Sequence, residues 1–201
     1  MSQSAVDARE QERVAWWRVV TRRWPAAVGV AVAALSISEL VNATVDEGVQ
    51  QALIIAIPVL VYLTAAVIDR PKSSWPVLAV TLALIFGFGV FDIDPIIGLT
   101  AASAVVLVVG VVHRLWRGSS APAIGQILGA VGFGTAAVLA LAVSPTVGGF
   151  LVGFGLLGHA TWDIVHHRRN IIVARSLAEF CAVLDTLVGM AVLALTIATM
   201  T

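Results

Sequence analysis

Seven apolar runs alternate with short polar breaks along the chain, at residues 25–45, 51–68, 75–91, 96–113, 123–143, 147–167 and 177–199. Each is close to the roughly 20 residues that a helix needs to cross the hydrocarbon core of a bilayer. The breaks carry turn and helix-stop residues: Asp46-Glu47-Gly48, Asp69-Arg70-Pro71-Lys72, Asp92-Ile93-Asp94-Pro95, Arg117 to Pro122, Ser144-Pro145, and His167 to Arg175. Pro58 falls inside the second run, where its missing N–H predicts a kink. The pattern predicts an all-α fold, a polytopic membrane bundle of about seven transmembrane helices. These form one domain over residues 25–201, preceded by a segment over 1–24. That first segment is too polar to span. Its Val6, Arg9, Arg13, Trp16, Trp17, Val20 and Trp24 read as a partly amphipathic helix lying on the membrane surface. It is not read as a secretory signal, because the apolar run after it is long and lacks a cleavage site.

Charge gives the bundle an orientation. With the N-terminus in the cytoplasm, all 12 Lys and Arg residues fall on the inner side: five before Trp24, then Arg70, Lys72, Arg114, Arg117, Arg168, Arg169 and Arg175. The positive-inside rule therefore favours seven spans with the C-terminus outside, since deleting one span would expose some of these cations. Composition agrees. Hydrophobic residues make up 59% and charged residues 12% of the chain, against about 45–50% and 25% in soluble domains. The Ala- and Val-rich, Lys-poor sequence is compatible with a multi-pass protein of a bacterial plasma (inner) membrane, with the lipid bilayer as its first partner. A single cysteine, Cys181, excludes an internal disulfide and a Cys-only metal site.

The polar residues within the last two runs are the candidate chemistry. An ionisable group within a span costs roughly 2.5 kcal/mol or more, so such a concentration points to function. At 3.6 residues per turn, His159, Asp163 and His166 share one helix face, and His167 approaches it from the membrane boundary. In the last run Cys181 and Asp185 share a stripe, while Glu179 points about 120° away from Asp185. Counting from their common loop, His159 and Asp185 both lie about 12 Å deep, and Asp163 and Cys181 both about 6 Å. An antiparallel pair would let these faces meet level by level. Imidazole and carboxylate groups suit a divalent zinc, manganese or iron, and a thiolate would bias the choice toward zinc. The metal-ligand candidates are His159, Asp163, His166 and Asp185, and the candidates for acid–base work are His167 and Asp163. A His–Asp pair is equally suited to carrying a proton.

Structural roles compete for several of these residues. Ser176-x-x-Glu179 fits a capping box, with Arg175 four residues from Glu179. His167, Arg168 and Arg169 fit a solvated, snorkelling helix end, and Cys181 fits a small buried hydrophobe. His159, Asp163 and Asp185 could form a hydrogen-bond network with no further task. Glu39 and Asn42, with Asp46, Glu47, Asp92 and Asp94, give the outer side an acidic cast, mostly a solvated loop face. Gly149-x-x-x-Gly153, with Gly155 and Gly158, leaves a smooth stripe for helix packing, and Gly129, Gly132 and Gly134 do the same one helix earlier.

The run Gly158-His159-Ala160-x-Trp162-Asp163-x-x-His166-His167, followed by Phe180-Cys181-Ala182-Val183-x-Asp185, resembles the signature of a family of small bacterial integral membrane proteins classed as a domain of unknown function. The resemblance covers the last two helices and implies that His159, Asp163, His166, His167 and Asp185 belong together. Other classes fail on residue count. A retinal protein needs a lysine in its last span, and Lys72 is the only lysine. Membrane di-iron hydroxylases need about eight histidines, and four are present. Seven-helix zinc hydrolases come closer in ligand type, yet their His-x-x-x-His helix is absent. No Walker-type loop, Gly-x-Ser-x-Gly elbow or nucleic-acid module appears.

The expected function is that of a metal-dependent intramembrane hydrolase acting on a lipid-like, amide or other small-molecule substrate. The alternative is a cation or proton-coupled transporter or channel that uses the same residues. That reading requires a polar path from the site to Glu39, Asn42 and Asp92. The third is a structural membrane protein without a site.

Overall fold

The computed structural model describes residues 21–40, 49–113 and 121–200. Among them it contains seven α-helices, one 3-10 turn at Pro71–Ser73 and no strand. The helices are α1 (Trp24–Leu40), α2 (Ala52–Ile68), α3 (Ser74–Val90), α4 (Pro95–His113), α5 (Ala121–Ala142), α6 (Pro145–Arg169) and α7 (Arg175–Ala198). Each coincides with one apolar run. The expected surface helix over residues 1–24 lies outside the described residues up to its last few positions, and so do Asn42, Asp46, Glu47, Arg114 and Arg117.

Among the described residues, four stretches are long and apolar enough to cross a membrane: Pro71–Val90, Pro95–His113, Ile124–Ala142 and Arg175–Ala198. α1 and α2 are apolar but shorter, at 17 residues each. α6 is 25 residues long, and Pro145, its glycines and the polar groups at its loop end lower its hydropathy.

Local chemistry accounts for the helix ends. Asp94 starts α4 as an N-cap, its Oδ1 accepting from the amides of Ile96 at 2.8 Å and Ile97 at 3.0 Å. α2 and α6 end on the left-handed residues Asp69 (φ 59°) and Asn170 (φ 53°), types that tolerate this conformation. The expected capping box at the start of α7 does not form. Ser176 Oγ instead accepts from Trp75 Nε1 at 2.9 Å, and Glu179 pairs with Arg23 at 3.0 Å. Both side chains therefore join α7 to other elements, which the local S-x-x-E pattern does not report.

α6 and α7 form the most extensive helix pair, and α1 packs along α7. On the other side α2 is the hub, touching α3, α4, α5 and α6. In hydrocarbon, helices associate by close packing rather than by escape from water, so small residues at the crossing matter. A methyl group at Gly189 would meet Gly153 O at 3.1 Å, and one at Gly153 would meet Gly189 O at 3.3 Å. The two glycines thus bring the backbones of α6 and α7 together. Gly129 accommodates the Trp162 ring, at 3.2 Å from a methyl placed there, whereas Gly132 and Gly134 face open space. Val152, Leu156, Val188 and Val192 fill the far half of the pair and join Ala52 and Ile55 of α2 in the main apolar core.

Candidate functional site

The short connection between α6 and α7 fixes the two helices antiparallel and in register. Asn170 N–H donates to His166 O at 2.8 Å to close α6. His167 Nδ1 donates to Arg175 O at 3.0 Å, and Arg175 Nε donates back to His167 O at 2.9 Å. Ala174 N–H donates to Ser74 Oγ at 3.2 Å, which pins the connection to the start of α3. This clasp gives His167 its place at the helix boundary.

Held in that register, His159 and Asp185 meet at the level expected from their equal distance to the loop. His159 Nδ1 lies 2.8 Å from Asp185 Oδ2 and 3.1 Å from Asp163 Oδ2. With both acids ionised, Nδ1 is the donor and both carboxylates accept from it. Tyr62 of α2 donates its hydroxyl to Asp163 Oδ1. His159, Asp163 and Asp185 are 2%, 0% and 1% exposed. Carboxylates buried this deeply need partners, since each unpaired ion costs several kcal/mol. The shared N–H and the phenol provide them.

Aromatic rings enclose the group. Tyr62 and Phe133 stand edge-on to His159, with ring centroids 5.5 and 5.0 Å away. His166 lies about two turns nearer the loop than His159, with its centroid 5.2 Å from that of Tyr62. Its Nδ1 donates to Trp162 O at 2.8 Å, and its Nε2 accepts from the Gln126 amide at 2.7 Å. Both nitrogens are therefore engaged outside the His159 group. Cys181 is buried beside the site and lines a cavity with Tyr62 and Asp185.

One ligand atom each from His159, Asp163 and Asp185 lies within 4.8 Å of the others, so this buried group could hold a metal ion. Bonds of about 2.0–2.2 Å from an ion to nitrogen and oxygen place adjacent ligand atoms some 3–3.5 Å apart, against 3.1 and 2.8 Å for the two His159–carboxylate pairs. Of the residues singled out from the sequence, these three come together. His166 neighbours them through Tyr62, and His167 belongs to the clasp. Glu39 is exposed at the end of α1.

Three contributors escaped the sequence reading: Tyr62, Phe133 and Gln126. Tyr62 had a usable signal, because it is the only tyrosine in the chain and lies about 9 Å inside the end of α2 at 1.5 Å per residue. A phenol at such depth calls for an acceptor. Gln126 carried the same kind of signal as a primary amide within an apolar run.

Beyond the site, toward the far ends of α6 and α7, the interface is apolar. Among the described residues, Thr196 is the only buried polar residue of the two helices outside His159, Asp163, His166 and Asp185. Its Oγ1 donates to Val192 O of its own helix at 2.8 Å.

These features define a class: an all-helical membrane protein with a buried His–Asp–Asp group joined by a tyrosine. Comparison with protein-family models, curated proteins and solved structures finds no match to the chain.

Proposed function

We propose that the protein is a membrane-embedded metalloenzyme in which His159, Asp163 and Asp185 hold a divalent zinc, manganese or iron ion, and that it hydrolyses a lipid-like or amide substrate. The observation that carries this reading is the convergence of three donor atoms from two helices within 4.8 Å. Three protein ligands with a position left for water is the arrangement of catalytic rather than structural sites. One imidazole and two carboxylates suit zinc, manganese or iron. Such an ion lowers the pKa of its water and polarises a carbonyl. Tyr62 orients Asp163 as outer-shell partners orient metal ligands. A carboxylate oxygen of Asp163 or Asp185 not bound to the ion serves as general base. His167, tied to Arg175, positions the connection, and His166, held by Gln126 and Trp162, walls the site.

The seven runs and the distribution of Lys and Arg support seven spans in a bacterial inner membrane, with the N-terminus inside and the C-terminus outside. The site then lies toward the cytoplasmic face. The apolar layer of Val152, Leu156, Val188 and Val192 separates it from the outer side, which favours a dead-end enzyme site over a cation or proton path. Elemental analysis of tag-free protein purified in detergent tests the proposal. Wild type is expected to carry about one equivalent of metal, and His159→Ala and Asp185→Ala none. Metal-free wild type, even after reconstitution with zinc, manganese and iron, would sink the metalloenzyme reading.

A further inference from the structure

The charged side chains outside the buried group are divided between the two ends of the bundle. Among the described residues, all seven Lys and Arg lie at one end: Arg22 and Arg23 before α1, Arg70 and Lys72 between α2 and α3, Arg168 and Arg169 at the end of α6, and Arg175 at the start of α7. The carboxylates described at that end are Asp69 and Glu179. At the other end stand Glu39, Asp92 and Asp94, with no described cation. The formal net charge of the chain is zero, so separation of charge, rather than an excess, makes the first surface cationic.

Tertiary contacts gather these cations. Ser74 Oγ accepts from Ala174 N–H at 3.2 Å and Ser176 Oγ from Trp75 Nε1 at 2.9 Å, which ties the start of α3 to the start of α7. The Arg23–Glu179 pair ties α1 to α7. The Trp75 ring lies 5.4 Å from that of Trp24 and 5.9 Å from that of Phe180. The starts of α1, α3 and α7 thus share one aromatic cluster, with cations set around it. Arg22, Arg70, Lys72, Arg168, Arg169 and Arg175 are exposed. The ion pairs among the described residues leave Lys72, Arg168 and Arg169 unpaired.

The level of this surface in a bilayer follows from its neighbours. Two of the stretches long and apolar enough to cross a membrane begin here, at Pro71 and Arg175. Tryptophan rings settle at the head-group level, and Trp24, 47% exposed, lies at the same end. The cations therefore stand where lipid phosphates lie. The positive-inside rule would be met equally by cations on separate, solvated loops. Their collection around one aromatic cluster at head-group level is the additional observation.

We propose that this end of the bundle is a binding surface for anionic phospholipids, selected over zwitterionic ones by the head-group charge facing Lys72, Arg168, Arg169 and their neighbours. Attraction of basic side chains to anionic lipid adds up over neighbouring cations and fades within a Debye length. The assignment does not depend on the metalloenzyme reading.

The test uses the full chain in phosphatidylcholine vesicles with a trace of spin-labelled phosphatidylglycerol or spin-labelled phosphatidylcholine. Electron paramagnetic resonance reads the motionally restricted fraction of each probe. Phosphatidylglycerol is expected to be preferred about fivefold at low salt. The preference should collapse in about 1 M salt, where the Debye length is about 3 Å. Combined Lys72→Gln, Arg168→Gln and Arg169→Gln is expected to cut it at least about twofold, because part of the cationic surface remains. Combined Lys72→Arg, Arg168→Lys and Arg169→Lys keeps the charge and is expected to keep the preference. The salt series on wild type needs no substitution, so it stands even if a variant misfolds. Equal restriction of both probes in wild type, a preference that survives high salt, or equal loss in the charge-conserving variant would overturn the assignment.

Discussion

The two halves of the α6–α7 pair solve the same packing problem in opposite ways. Toward the far ends, Gly153 and Gly189 bring the backbones together and Val152, Leu156, Val188 and Val192 fill the remaining space. Toward the loop, the helices are joined by polar groups, His159 to Asp185 across the interface and Asp163 to Tyr62 on α2. Packing alone holds the far half, so a polar network is not required to pair these helices. The loop half instead buries two carboxylates, whose desolvation costs more than an apolar pair of similar volume. A chain that keeps such a group beside an adequate apolar alternative has a use for it, and that contrast motivates the metal-site assignment.

The largest expected effect breaks the polar half. Asp163→Leu removes an acceptor from both His159 and Tyr62 and leaves Asp185 with a reduced set of partners. A loss of about 3–5 kcal/mol in stability is expected, the range for breaking a buried pair, read by thermal unfolding in detergent. Metal binding is expected to disappear with it. An Asp163→Leu protein as stable as wild type would show that the polar layer is not tied together as described.

A smaller effect is expected in the apolar half. Gly189→Leu forces a side chain against Leu156 and the Gly153 carbonyl and should cost roughly 1–3 kcal/mol through overpacking. Metal content per folded chain is expected to stay at the wild-type level, because the ligands remain in place nearer the loop. Loss of metal from folded Gly189→Leu would mean that the two halves are coupled more tightly than their separate contacts indicate.

Tyr62→Phe sharpens the comparison with the least disturbance. It deletes one hydroxyl and keeps the ring against His159 and His166. Loss of a hydrogen bond to a charged acceptor costs about 1.5–3 kcal/mol, and removal of an outer-shell partner typically weakens metal binding 10–100-fold. A competition titration with a chromophoric chelator reads the affinity directly. Unchanged affinity would confine Tyr62 to the fold.

Much of this was legible in the chain because it is encoded locally. Among the described residues, apolar runs near the length of a span located the seven helices to within a few residues. Spacings of four residues and equal depth from one loop placed His159, Asp163 and Asp185 together. The partners of these residues were not legible, since Tyr62 and Asp163 are 101 positions apart and Gln126 and His166 are 40 apart. No periodicity links such distant positions. The same limit explains the capping box: Ser176 and Glu179 satisfy the local rule, yet Trp75 and Arg23 reach them through the tertiary fold. Likewise, a shared helix face put His166 among the expected ligands, but the Trp162 carbonyl and the Gln126 side chain occupy its two nitrogens.

The central claim is that one imidazole and two carboxylates form the metal centre, with the adjacent Cys181 outside it. X-ray absorption at the metal edge of the wild-type protein tests this most directly. The account predicts a first shell of nitrogen and oxygen at about 2.0–2.2 Å, with the outer scattering of one imidazole. A sulfur shell at about 2.3 Å, or two imidazoles in the shell, would contradict it.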